Sequence, residues 1–269
     1  MNGNLNIAVI ENNIVWADKA ANLSKLEQHL EQIPDDIDLV VLPEMFTTGF
    51  ITDRGLADNL AERNTEDSIS EIHRLARAKR TAIAGSFLAR TAGKLYNRAF
   101  FIEPSGDETF YDKRHLFRMG GEREVFSEGT TLAPTIRYRG WNIKIVICYD
   151  LRFPVWCRCS EHDNYDLLIA VANWPSSRID AWRTLLAARA IENECYMCGV
   201  NRTGRDASGV DYGEKSSGFI DFKGKPIVSK IVQDESDRTI ITSLDYAKLQ
   251  NFREKFPAWK DADAFDIDL

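Results

Sequence analysis

Several things are scarce or missing in this sequence, and each absence excludes something. No apolar run approaches the ~18 residues needed to span a bilayer. The 34 basic residues form no block and are outnumbered by 41 acidic ones, leaving a net charge of −7. No membrane and no nucleic acid is therefore expected as a partner. The opening MNGNLNIAVIENN lacks the basic, apolar and small-residue series of a secretory leader. Cysteine is sparse and odd in number, five in 269 residues, which points to reduced thiols and a cytoplasmic chain. Histidine is scarcer, at four. His29 and His162 read as solvated helix residues, and only His115, close to Lys113, is a candidate base. Neither G-x-x-x-x-G-K-[ST] nor G-x-G-x-x-G occurs, so nucleotide binding has no motif behind it. Cys195 and Cys198 form a C-x-x-C in a strand-like run whose alternation sends them to opposite faces. With only the C-x-C of Cys157 and Cys159 beside it, no zinc site is expected.

What is present is ordinary globular composition, 44% hydrophobic and 28% charged. LNIAVI (Leu5 to Ile10) reads as an opening strand. Ala20, Leu23, Leu26, Leu30 and Ile33 then recur at helical steps until Pro34 stops them. The apolar run DLVVLPE follows, so strand, helix and strand suggest a βαβ unit with a buried sheet. A helix is expected over Glu66 to Lys79 and a strand over Thr81 to Ala89. NRAFFIEP and TFYDK are strands around the turn PSGD. His115 to Thr135 has no period and reads as a long surface loop. WNIKIVIC is a strand, Phe153 to His162 a helix, DLLIAVAN a strand and Ile179 to Asn193 a helix. CYMCGVN, SSGFIDF, PIVSKIV and RTIITSL make a strand-rich end, closed by the helix DYAKLQNFREKF. RTGRDASGVDYGEKSSG lacks phosphate-loop spacing and reads as a surface hairpin or loop. Without a linker, low-complexity tract or repeat, residues 1–269 are expected to form one α/β domain.

Sites in such proteins gather where strands end. Three strand ends here carry chemistry: Glu44 after DLVVLP, Lys113 after TFYD, and Cys148 after IKIVI. Taken singly each has a plain reading, as a solvated loop carboxylate, a surface lysine and a small core residue. Taken together they are a base, a cation and a nucleophile. A thiol with a pKa near ~8.5 needs a base at neutral pH. A buried carboxylate can serve, because burial raises its proton affinity. An ammonium beside them would stabilise the thiolate and an oxyanion.

LVVLPEMFTTGF, YDKRHLF and VICYDLRFPVW resemble, in order, the Glu, Lys and Cys motifs of the nitrilase superfamily of carbon–nitrogen hydrolases. VANWP, ARAIEN and REKFPAW extend the resemblance over essentially the whole chain. KRHLFRM, CYDLRFPVWCR and VANWP are similar to its omega-amidase branch, which releases ammonia from the 2-oxo acid analogues of glutamine and asparagine. The resemblance implies a four-layer αββα sandwich, paired as a homodimer. It implies Cys148 as nucleophile, Glu44 as general base, Lys113 and the Tyr149 N–H as oxyanion donors, and no metal or organic cofactor. The family's second glutamate is matched to Glu128 through F-x-E in FSEGTTLAP, although Glu122 and Glu124 stand in the same loop. For the substrate carboxylate, which needs a cation, Arg118 is the first candidate and Arg178 the second. Asn173, Trp174 and Phe46 are expected to wall the pocket. Asp150 reads as a helix start and Arg152 as an anchor for a buried carboxylate. Alternatives are an amidase for a deaminated peptide amide or an N-carbamoyl compound, a nitrile hydrolase, and a nonenzymatic interaction protein. The last of these predicts loss of a triad member, and none is lost.

Overall fold

A computed structural model describes residues 3–160, 163–213, 215–234 and 237–269. The strands are β1 (Leu5–Glu11), β2 (Leu39–Val41), β3 (Ala82–Thr91), β4 (Lys94–Ile102), β5 (Glu108–Asp112), β6 (Ile136–Tyr138), β7 (Trp141–Ile147), β8 (Leu167–Ala172), β9 (Tyr196–Asn201), β10 (Gly218–Ile220), β11 (Lys230–Asp234) and β12 (Asp237–Leu244). The helices are α1 (Lys19–Gln32), α2 (Arg54–Leu60), α3 (Asp67–Lys79), α4 (Glu122–Val125), α5 (Ile179–Glu192) and α6 (Tyr246–Lys255). None of these is long and apolar enough to cross a membrane.

The strands form two mixed sheets, of order β11-β12-β1-β2-β3-β4-β5 and β10-β9-β8-β7-β6. β1, α1 and β2 form the expected parallel unit, with Ile7 opposite Leu39. Strand alternation builds the layers. Ile7, Val9, Leu39 and Val41 join Ile143, Ile145 and Val171 in one core cluster between the sheets. The intervening Ala8, Ile10 and Val40 pack instead against Leu26 and Leu30 of α1 and Ile72 and Ala76 of α3. Burying each of these leucines contributes about 1.5–3 kcal/mol. On the far side, Trp182 and Leu186 of α5 cover the second sheet. A Cβ at Gly199 of β9 would meet Leu186 at 2.5 Å, so glycine there lets α5 lie close. The result is a helix–sheet–sheet–helix sandwich.

Several local expectations are corrected. No helix spans 153–160: Pro154 turns Phe153 away from helical geometry (φ −104°, ψ 98°), and His162 lies outside the described residues. A short 3-10 turn, Cys148–Arg152, stands earlier instead. The expected surface loop from His115 carries a second 3-10 turn, Arg118–Gly120, and then α4. PIVSKIV enters the sheet only from Lys230, and Val228 is exposed. His29 is buried, with Nε2 3.0 Å from Asp237 Oδ2, because the α1 face that carries it turns toward the sheet.

Candidate active site

Four polar residues stand just past the C-terminal ends of strands. Cys148 and Asn173 follow β7 and β8, which are parallel neighbours with Ile147 opposite Val171. Glu44 follows β2 in the other sheet, and Asn173 bridges the gap: its Nδ2 donates to the Glu44 carbonyl at 2.8 Å. Its backbone N–H donates to Glu44 Oε2 at 2.7 Å. Lys113 follows β5, and Asn97 on the adjacent β4 donates through Nδ2 to Glu44 Oε1 at 2.7 Å. Asn97 is itself fixed by Ser86 Oγ, which donates to its Oδ1 at 2.9 Å.

The centre is an ion triplet with no solvent-exposed side chain. Lys113 Nζ lies 2.9 Å from Glu44 Oε1 and 2.8 Å from Glu122 Oε2, and all three side chains are 0% exposed. Burial works against the Lys113 charge, yet Glu122 and Glu44 outweigh it and hold its pKa above the ordinary lysine value. Burial raises the Glu122 pKa, and Lys113 only partly pulls it back. The Cys148 thiol is pushed well up, by burial first and by the Glu44 charge second, against the pull of Lys113. The resting sulfur is thus a thiol with a carboxylate at hand, and it gains from Lys113 only when its proton leaves.

Cys148 has φ +45°, a left-handed conformation rare outside glycine. Asp150 holds this turn. Its buried carboxylate accepts from the Ile147 N–H at 3.1 Å, the Tyr111 hydroxyl at 2.8 Å and the His115 N–H at 2.9 Å. His115 Nδ1 is 2.8 Å from the same carboxylate, so the candidate base is engaged with Asp150 as a brace. The Tyr149 N–H lies in the first turn of the 3-10 segment, where such helices leave donors without internal acceptors.

A cavity of about 440 Å³ opens over Cys148, with Lys113, Tyr149, Asn173, Trp174 and Arg178 in its wall. Four earlier assignments need correction. Glu128 is exposed and pairs with Arg123 at 3.4 Å, because it lies past α4 on the solvent side; Glu122 makes the contacts with Lys113. Arg118 is exposed and outside the cavity wall. Phe46 is buried in the outer core against Phe100, ring centroids 5.9 Å apart, and does not line the cavity. Among the described residues Arg152 anchors no buried carboxylate; it lines the cavity with its guanidinium 4.9 Å from the Trp174 ring centroid. Arg178 stacks similarly on Phe117 at 5.2 Å.

The wall also holds residues of the segment expected as a surface hairpin or loop. Asp206, Ser208 and Tyr212 line the cavity, and the Tyr212 hydroxyl donates to Asp206 at 2.7 Å. Arg202 lies buried behind them, 4.6 Å from the Tyr212 ring centroid. The dense run of Arg, Asp and Tyr between glycines was the available signal. All five cysteines are free thiols, and among the described residues no group of three or more His, Cys, Asp or Glu could hold a metal.

The family model for carbon–nitrogen hydrolases matches residues 6–254. The chain is 41% identical over 263 residues to an omega-amidase, YafV, of Escherichia coli K12, covering 98% of each chain. It is 29% identical over 257 residues to a 2-oxoglutaramate amidase of Bacillus subtilis, covering 95% of this chain and 96% of that one. Among solved structures, a CN-hydrolase superfamily protein of Xanthomonas campestris with an arsenic adduct in its active site matches with a TM-score of 0.92. The two are 37% identical, and the match covers 98% of this chain and 99% of that one.

Proposed function

The chain belongs to the carbon–nitrogen hydrolase family, and from that membership we propose that it is an omega-amidase, cleaving the terminal amide of 2-oxoglutaramate and 2-oxosuccinamate to ammonia and the 2-oxo dicarboxylate. The observation that carries this reading is the 41% identity to an omega-amidase along 98% of both chains. It is supported by a cavity whose wall holds the Cys148 thiol together with the guanidinium groups of Arg152 and Arg178. Neither arginine has a carboxylate partner among the described ion pairs, so either is available to a substrate carboxylate. Arg178 thus stays a candidate, and Arg152 takes the place given to Arg118.

In the proposed cycle Glu44 takes the thiol proton as Cys148 attacks the amide carbonyl. The oxyanion is held by Lys113 and the Tyr149 N–H, donors fixed before the reaction begins. The tetrahedral species collapses, the C–N bond breaks, and Glu44 returns the proton to the departing ammonia. Water, activated by Glu44, then hydrolyses the thioester and restores the thiol. Glu122 orients Lys113 and balances its charge. A homodimer belongs to the same reading through the family resemblance, and a cytoplasmic location through the odd count of five cysteines.

An ammonia-release assay tests it, with 2-oxoglutaramate, 2-oxosuccinamate, glutamine, an N-carbamoyl amine and a simple nitrile as substrates. The two 2-oxo amides should be turned over fastest. Activity confined to the nitrile or the carbamoyl compound would contradict the assignment. The glutamate pair gives a second test. Glu122→Gln should lower kcat/KM about a hundredfold, the usual scale for loss of one preorganised electrostatic element. Glu128→Gln, at an exposed ion pair, should stay within about twofold of wild type. The reverse order would return the role to Glu128.

A further inference from the structure

Buried polar atoms in folded proteins are almost always hydrogen-bonded, so each exception asks for a reason. Among the described residues five buried side-chain atoms have no partner: Asn12 Oδ1, Ser68 Oγ, Asn173 Oδ1, Glu194 Oε2 and Arg202 Nη1. Of these residues, only Asn173 lines the cavity that holds Cys148.

The orientation of this side chain is not open to a flip. Its Nδ2 lies 2.8 Å from the Glu44 carbonyl oxygen, which can only accept, and 3.4 Å from Glu44 Oε2. The nitrogen therefore belongs there and the oxygen is left over. Asn173 is 6% exposed, so Oδ1 has given up water without gaining a protein donor. An unmet acceptor of that kind is costly unless something arrives to fill it. It stands one position past β8, beside the strand end that carries Cys148, and it is tied to Glu44, the base of the proposed cycle.

We propose that Asn173 Oδ1 accepts a hydrogen bond from the N–H of the substrate's terminal amide, making Asn173 a specificity-determining residue for amides over esters and nitriles. The inference rests on the amidase reading above and adds the group that recognises the leaving nitrogen. A primary amide brings N–H donors; an ester oxygen and a nitrile nitrogen bring none. A site with a buried polar atom rejects analogues that leave that atom unpaired. The contact also strengthens during reaction. As Glu44 protonates the departing nitrogen, its N–H groups become better donors, so the bond is worth more in the transition state than in the bound substrate.

Two roles of Asn173 must be separated, anchoring Glu44 and receiving the amide N–H. Both 2-oxoglutaramate and the 5-methyl ester of 2-oxoglutarate need Glu44 and pass through the same thioester, so anchoring affects them alike. The readout is therefore the ratio of kcat/KM for amide over ester. In Asn173→Ala both rates should fall, and the ratio should drop a further tenfold or so, the scale of one lost hydrogen bond. Asn173→Asp keeps an acceptor but loses the donor to Glu44; both rates should fall while the ratio stays within about threefold of wild type. The second variant keeps the test alive if the alanine protein does not fold. A ratio unchanged in Asn173→Ala, or collapsed in Asn173→Asp, would overturn the inference and leave the amidase reading standing. Wild-type enzyme that hydrolyses the ester but releases no ammonia from the amide would overturn both.

Discussion

Cys148→Ala is expected to release no ammonia above background from any amide, a loss of about 10⁴-fold or more. Its fold should be intact. Cys148 holds φ +45°, and alanine carries the same Cβ, so it meets the same backbone strain as the native residue. What disappears is the sulfur proposed to form the acyl bond. Cys148→Ser should also be severely impaired, because a hydroxyl is a far weaker nucleophile than a thiol for a base of given strength. Ammonia release and thermal unfolding measured on the same preparations check this. A folded alanine variant with more than a tenth of wild-type activity would exclude Cys148 as nucleophile.

Lys113→Met should be the most damaging single substitution for stability as well as for turnover. It leaves Glu44 and Glu122, each 0% exposed, side by side without their cation. Removing one partner from a buried ionic group typically costs about 3–5 kcal/mol. The variant should also change its response to pH. The Glu122 pKa is already raised by burial and by the Glu44 charge, with Lys113 pulling it down. Without Lys113 it rises further, so the folded state takes up a proton that the unfolded state has released at neutral pH. A carboxyl whose folded pKa lies above its unfolded value supports the fold at low pH and loses that support as pH rises through the folded pKa. The melting temperature of Lys113→Met should therefore increase from pH 8 down to pH 5, relative to wild type over the same range. Adding Glu122→Gln should restore part of the stability at pH 8 without restoring activity. A pH-independent deficit would mean that the two carboxylates are not the source of the cost.

The three proposed reacting groups were legible because each stands at or just past the end of a short strand, and strand ends are local features. Glu44, Lys113 and Cys148 are brought together by sheet register, and the family motifs supplied the pairing that a single sequence does not contain. The second glutamate was not legible in the same way. α4 is only four residues long, too short for a periodic signal. The available clue was Gly121, which turns the chain at φ +76°, followed by Glu122 and Val125 on one buried face. Arg118 looked well placed only because it follows Lys113 in sequence; the 3-10 turn it opens leaves its side chain in solvent. Phe46 is two residues from Glu44, but it points into the layer between sheet and helices. The cavity wall at Asp206, Ser208 and Tyr212 depends on how the segment after β9 folds back beside Asn13, a bridge across most of the chain, and no local pattern encodes that contact.

The most direct test of the account is to catch the acyl-enzyme. Wild-type protein mixed with excess 2-oxoglutaramate and quenched in acid during turnover should yield an adduct of the 2-oxoglutaryl group, located by peptide mass spectrometry on Cys148. It should be absent from Cys148→Ala and removed by hydroxylamine, as a thioester is. Turnover with no adduct on any cysteine, or an adduct confined to Cys157, Cys159, Cys195 or Cys198, would contradict the mechanism.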